Sequence, residues 1–171
     1  VDHPHFAPYF RRHGGREGAL FGGGIGRLRA VEVRQRQTGI ARSASCFNLI
    51  GAAQVGKSSL TAMRLLHRLG GTIPFWPFDP PPARGPLLIE IYTSIAARAA
   101  GMPAHRSKIR DAPALTAALT ALGSATQVPA RLDDHATDAL VTAAWLRAVS
   151  TDRALWQPAP LSLEIAQSEG W

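Results

Sequence analysis

Apolar residues recur at helical spacing along several stretches of the chain. From Asp111 to Leu122 the residues Leu115, Ala118, Leu119 and Leu122 form one stripe, with Asp111 placed to cap the start and Gly123 to stop the end. From Asp134 to Val149, Leu140, Ala143, Ala144 and Arg147 follow the same spacing and predict the last long helix. Ser58 to Leu69 predicts a helix with Leu60, Met63, Leu66 and Leu69 on its inner side. Arg27 to Gln37 has helical composition, with Leu28, Val31 and Gln35 on one face and Gly39 beyond the end. Ile95 to Ala100 predicts a helical turn ended by Gly101.

Other apolar positions run together instead of recurring. Leu87 to Tyr92, LLIEIY, reads as a strand of the kind buried in a parallel sheet. Ser45 to Ile50, SCFNLI, reads as a shorter buried strand. Thr72 to Phe78, TIPFWPF, is broken by Pro74 and Pro77 and suits a sheet edge. Strands alternating with helices predict an α/β fold. The glycines of residues 1–26 predict an irregular N-terminal segment, followed by one α/β domain over 27–156 and a C-terminal tail over 157–171.

Composition narrows the class. With 171 residues, 46% hydrophobic and 18% charged, the chain can bury a core and is too apolar for a disordered polymer. No run approaches the ~20 apolar residues of a membrane span, so no membrane partner is expected. VDHPHFAPYF lacks the basic start and apolar run of a signal peptide. The single cysteine, Cys46, excludes an internal disulfide framework and a cysteine-based zinc site, and makes a cytoplasmic location the expectation. Lys plus Arg number 19 against 12 acids, for a formal charge of +7, and only Lys57 and Lys108 are lysines. Arginine grips phosphate with a planar fork, so nucleic acid is the expected partner. Arg106, Lys108 and Arg110 are candidates to hold its backbone.

Two constellations carry candidate chemistry. Gly51-Ala-Ala-Gln-Val-Gly56-Lys57-Ser58 matches the phosphate-loop pattern GxxxxGK[ST] between a predicted strand and a predicted helix. There the backbone around Gly56 would wrap phosphates, Lys57 would reach the β- and γ-phosphates, and Ser58 would hold Mg²⁺. Against it, no second strand ends in an Asp to share the magnesium, and the strands are few. The second constellation is acidic. Glu90 lies inside LLIEIY, where an unpaired carboxylate is costly to bury. Asp134 and Asp138 stack one turn apart on a helix, with His135 beside them. Capping explains Asp133 or Asp134 but not Asp138. A divalent ion, Mg²⁺ or Mn²⁺, would neutralise such a group. Asp2, His3 and His5 form a weaker candidate at the terminus, Trp76 and Trp145 read as packing residues, and Cys46 reads as inert core.

Ser43-Ala-Ser45-Cys-Phe47, the turn at Val55-Gly56, Ser59-Leu60, Pro77-Phe78-Asp79, Leu88-Ile89-Glu90-Ile91-Tyr92 and the segment from Asp134 to Leu140 resemble the domain of unknown function 429 family, predicted nucleases with a ribonuclease-H-like fold. The resemblance runs from about Arg27 to Leu146. It implies a mixed sheet flanked by helices and a cluster made of a first-strand Asp, a mid-sheet Glu and an Asp on the last helix. Glu90 matches the second, and Asp138 with Asp134 beside it matches the third. In that family a small residue commonly stands where Lys57 sits, which makes the glycine turn part of the fold. The chain departs from the family in lacking the opening strand with its Asp, as if truncated at the N-terminus, and in having Thr93-Ser94 where Pro-Arg often follows. The resemblance implies a nuclease-like protein that uses Glu90, Asp134 and Asp138 as catalytic ligands of Mg²⁺ or Mn²⁺ and acts on phosphodiesters. The alternatives are a phosphate-loop nucleotide-binding protein using Gly56, Lys57 and Ser58, and a non-catalytic nucleic-acid-binding module.

Overall fold

The computed structural model describes residues 2–39, 43–50, 56–103, 108–125 and 127–170. They fall into two units, Val1–Glu90 with Ser162–Trp171, and Ile91–Leu161. Mixed α and β structure is present, mostly helix, with one small parallel sheet.

In the first unit, helix α1 spans Ala30–Gln37. Glu32, only 4% exposed, starts it: its carboxylate accepts from the backbone N–H of Arg29 at 2.8 Å, satisfying a donor that the helix itself leaves free. The same carboxylate accepts from the backbone N–H of Cys46 at 3.2 Å, which ties a distant segment to the helix start. A short helix near the C-terminus, α7 (Leu163–Ser168), joins the same corner. Arg29 Nη1 donates to the carbonyl of Glu169 at 2.8 Å, and the N–H of Val31 donates to its carboxylate at 3.1 Å. Phe21 is fully buried nearby. A Cβ on Gly26 would lie 2.6 Å from its ring, and φ there is +82°, so this position requires glycine.

The expected strand over Ser45–Ile50 is not formed. Ser45 Oγ donates to the carbonyl of Arg27 at 2.6 Å and accepts from the N–H of Phe47 at 3.2 Å, while the N–H of Asn48 donates to the carbonyl of Ser45. These short-range bonds close a turn in place of a ladder. Only an isolated parallel bridge between Arg11 and Asn48 remains. Helix α2, Gly56–Leu69, follows. Gly56 is buried, and a Cβ there would stand 2.7 Å from the carbonyl oxygen of Asn48.

The sheet pairs β1 (Phe75–Trp76) with β2 (Leu88–Ile89) in parallel, Phe75 opposite Leu88 and Trp76 opposite Ile89. Pro74 and Pro77 fence β1 to two residues, since neither has an N–H to give a ladder. Asp79 closes the turn after it, its carboxylate accepting from the N–H of Phe75 at 2.9 Å. The run LLIEIY contributes strand only at Leu88 and Ile89, both half-buried, and Glu90 behind them is exposed.

The second unit is helical. Its elements are α3 (Thr93–Ala99), α4 (Ala112–Ala121), α5 (Asp134–Val149) and α6 (Arg153–Trp156). Asp111 caps α4 by accepting from the N–H of Ala114, and Asp133 caps α5 by accepting from that of Ala136, each at 2.8 Å. Leu115, Ala118, Leu119 and Leu122 are all buried, as their stripe predicts. They share a core with Ala96, Ala100, Val141 and Ala144. On α5, Thr137, Val141, Thr142 and Ala144 are buried and Leu140 packs against the core, whereas Ala143 and Arg147 are exposed. Arg147 reaches out to the carbonyl of Gly123. No helix among the described residues is long and apolar enough to cross a membrane.

Candidate functional site

The first turns of α5 bring two of the three expected acids together. Asp134 and Asp138 stand one turn apart, and Lys108 Nζ lies 2.8 Å from Asp138 Oδ2 and 3.8 Å from Asp134 Oδ2. Thr93 at the start of α3 also donates to Asp138 Oδ2, at 3.5 Å. The hydrogen bond to Asp138 raises the Lys108 pKa above its usual 10.5, so the ammonium is charged throughout the neutral range. An ammonium therefore stands where the carboxylate spacing had predicted a divalent ion. The third acid, Glu90, is the last residue of the other unit's first segment and is exposed behind β2. Among the described residues no three His, Cys, Asp or Glu side chains come together as metal ligands.

An open groove of about 450 Å³ borders this cluster, lined by Ile91, Thr93, His135, Asp138, Ala139 and Leu146 among others. Thr142 also lines it, buried, with no hydrogen-bond partner for its hydroxyl among the described residues. Among the described residues no Lys or Arg lines the groove, and Lys108 beside it is engaged with Asp138. Its aliphatic walls and carboxylate rim do not suit a phosphate.

Of the basic residues expected to hold a nucleic-acid backbone, the structure describes two. Arg106 lies outside the described residues. Lys108 is committed to the two carboxylates. Arg110 is exposed close by. Of the phosphate-loop match, Gly51–Val55 lies outside the described residues, while Lys57 and Ser58 are exposed in the first turn of α2. The burial of Gly56 against Asn48 gives that glycine a packing role, since any side chain would meet the backbone there.

Helix α2 carries the basic feature that the whole-chain charge conceals. Residues 33–78 contain Arg34, Arg36, Arg42, Lys57, Arg64 and Arg68 and not one Asp or Glu, so nearly all of the net +7 resides in this stretch. On α2 itself Lys57, Arg64 and Arg68 share one face with Thr61 and are exposed. Among the described residues no carboxylate pairs with any of these three. The inner side expected for this helix is also different: Met63 is 62% exposed and Leu65 59%, with Leu60, Leu66 and Leu69 half-buried. Counting charge by segment instead of over the whole chain would have found this face in the sequence.

Comparison with protein-family models, with curated proteins and with solved structures gives no match.

Proposed function

We propose that the protein binds nucleic acid through the cationic face of α2. The carrying observation is the acid-free stretch 33–78, which presents Lys57, Arg64 and Arg68 in one exposed row with no carboxylate paired to them among the described residues. Across the 12 residues from Lys57 to Arg68 the row extends about 16 Å at a rise of ~1.5 Å per residue. That length follows several successive phosphates of a backbone. Cations without internal partners release condensed counterions when they meet phosphate, which drives association. The matching experiment is binding of a labelled oligonucleotide to the full chain, followed by fluorescence anisotropy. Reversing Arg64 and Arg68 to Glu is expected to weaken binding at least tenfold, and Arg147→Glu to have a small effect. Equal effects from the two changes would refute the assignment to α2.

A metal-dependent nuclease, the reading implied by the resemblance to the family of predicted nucleases, is the second proposal, together with its ribonuclease-H-like fold. The carboxylate pair Asp134 and Asp138 supports it, and the parallel pairing of β1 with β2 is compatible with that fold. Lys108 would have to yield its place to Mg²⁺ or Mn²⁺. This reading expects Mn²⁺-dependent cleavage of an oligonucleotide that Asp138→Asn abolishes; cleavage indifferent to Mn²⁺ and to that change removes it. Nucleotide binding by Lys57 and Ser58 rests on the sequence match alone, and absence of ATP and GTP binding at millimolar concentration would dispose of it. A cytoplasmic location, proposed on the single cysteine, accords with contact to nucleic acid.

A further inference from the structure

We infer that α2 selects unpaired, single-stranded nucleic acid over duplex, an inference that rests on the nucleic-acid reading of this helix. The arrangement of apolar residues around the cations carries it. At 3.6 residues per turn, Lys57, Arg64 and Arg68 fall within about 40° of arc. Met63 and His67 lie on one side of that row and Leu65 on the other. Both flanks are open to solvent: Met63 is 62% exposed, Leu65 59%, and His67 is exposed as well. Met63, Arg64, His67 and Arg68 together line a shallow depression of about 430 Å³.

A helix lodged in the major groove of a duplex has phosphates along both flanks and base edges beneath its centre. Here the order is reversed, with cations in the centre and uncharged, largely apolar groups at the sides. Duplex docking would set Met63 and Leu65 against phosphate walls. A single strand matches the observed order: one backbone follows the cation row while its bases turn outward onto the flanks. Imidazole and guanidinium planes stack on bases, and a thioether packs well against aromatic rings. An anionic bilayer could also meet a cationic helix with apolar flanks, as could a second copy of the chain, and both enter the test as outcomes.

The experiment uses the full chain with four probes at one salt concentration: a labelled mixed-sequence single strand, its duplex, heparin, and phosphatidylglycerol vesicles. The expected result is at least tenfold tighter binding of the single strand than of the duplex. Met63→Ala with His67→Ala should cost the single strand about tenfold and leave duplex, heparin and far-ultraviolet circular dichroism unchanged. Equal affinity for strand and duplex, or equal loss on both in the double variant, overturns the inference while nucleic-acid binding stands. Preference for vesicles, or a Met63-dependent dimer in sedimentation, overturns it as well. Failure to bind any of the polyanions overturns the parent reading and this inference together.

Discussion

At neutral pH an ammonium 2.8 Å from Asp138 and 3.8 Å from Asp134 offsets two carboxylates that would otherwise repel across one helical turn. The Lys108 side chain is 44% exposed, so its contribution belongs to the weak class of surface pairs, about 0.2–1 kcal/mol. Because its folded pKa lies above 10.5, that contribution is complete below pH 10.5 and disappears as pH rises through the folded value. Lys108→Met should therefore lower stability in urea at pH 7 and make no difference well above the folded pKa, a comparison that two denaturation series settle. Cys46 behaves oppositely in reactivity. Burial, partly countered by Arg29, pushes its thiol up to about 11, so it stays protonated and unreactive near neutrality. Alkylation of the native protein at pH 8 is expected to be far slower than in urea; equal rates would contradict the buried placement. The sequence already read Cys46 as inert, but neither the groups around it nor the Lys108 pairing was legible there. The partner of Asp138 lies 30 residues away, and the environment of Cys46 is assembled from Arg29, Glu32 and Glu169.

At the scale of elements, the second unit's helices were readable because their signals are local. Asp111 and Asp133 each stand where a cap belongs and each accept the expected backbone hydrogen bond. Asp133→Ala should cost about 1 kcal/mol in urea denaturation. Leu115→Ala, at a fully buried position, should cost about 2–5 kcal/mol. Met63→Ala and Leu65→Ala on α2 should each change stability by under about 0.5 kcal/mol, because those side chains face solvent. A cost at Met63 comparable to that at Leu115 would contradict the exposed face. Periodicity located α2 but could not say whether its apolar side meets a partner, since amphipathic spacing is the same either way. The strands failed for another reason. Ser45 diverts its neighbours into a turn, and Pro74 with Pro77 limits β1, so apolar runs of six or seven residues yield two residues of strand or none.

At the scale of the whole molecule, charge is distributed unevenly. Acids are confined to residues 2–32 and 79–169, where several serve caps and ion pairs, and the stretch between them is purely cationic. That separation was present in the sequence, hidden within a single net charge. The acidic pair on α5 was legible, but its compensating lysine was not, because Lys108 reaches it through tertiary placement. The salt dependence of oligonucleotide binding tests the central claim most directly. Each phosphate contact on a single strand contributes a slope of about −0.7 to a plot of log affinity against log salt. Replacing Lys57, Arg64 and Arg68 together with Gln should make that slope shallower by about 2. A slope unchanged by the triple replacement would mean that α2 does not touch the phosphates.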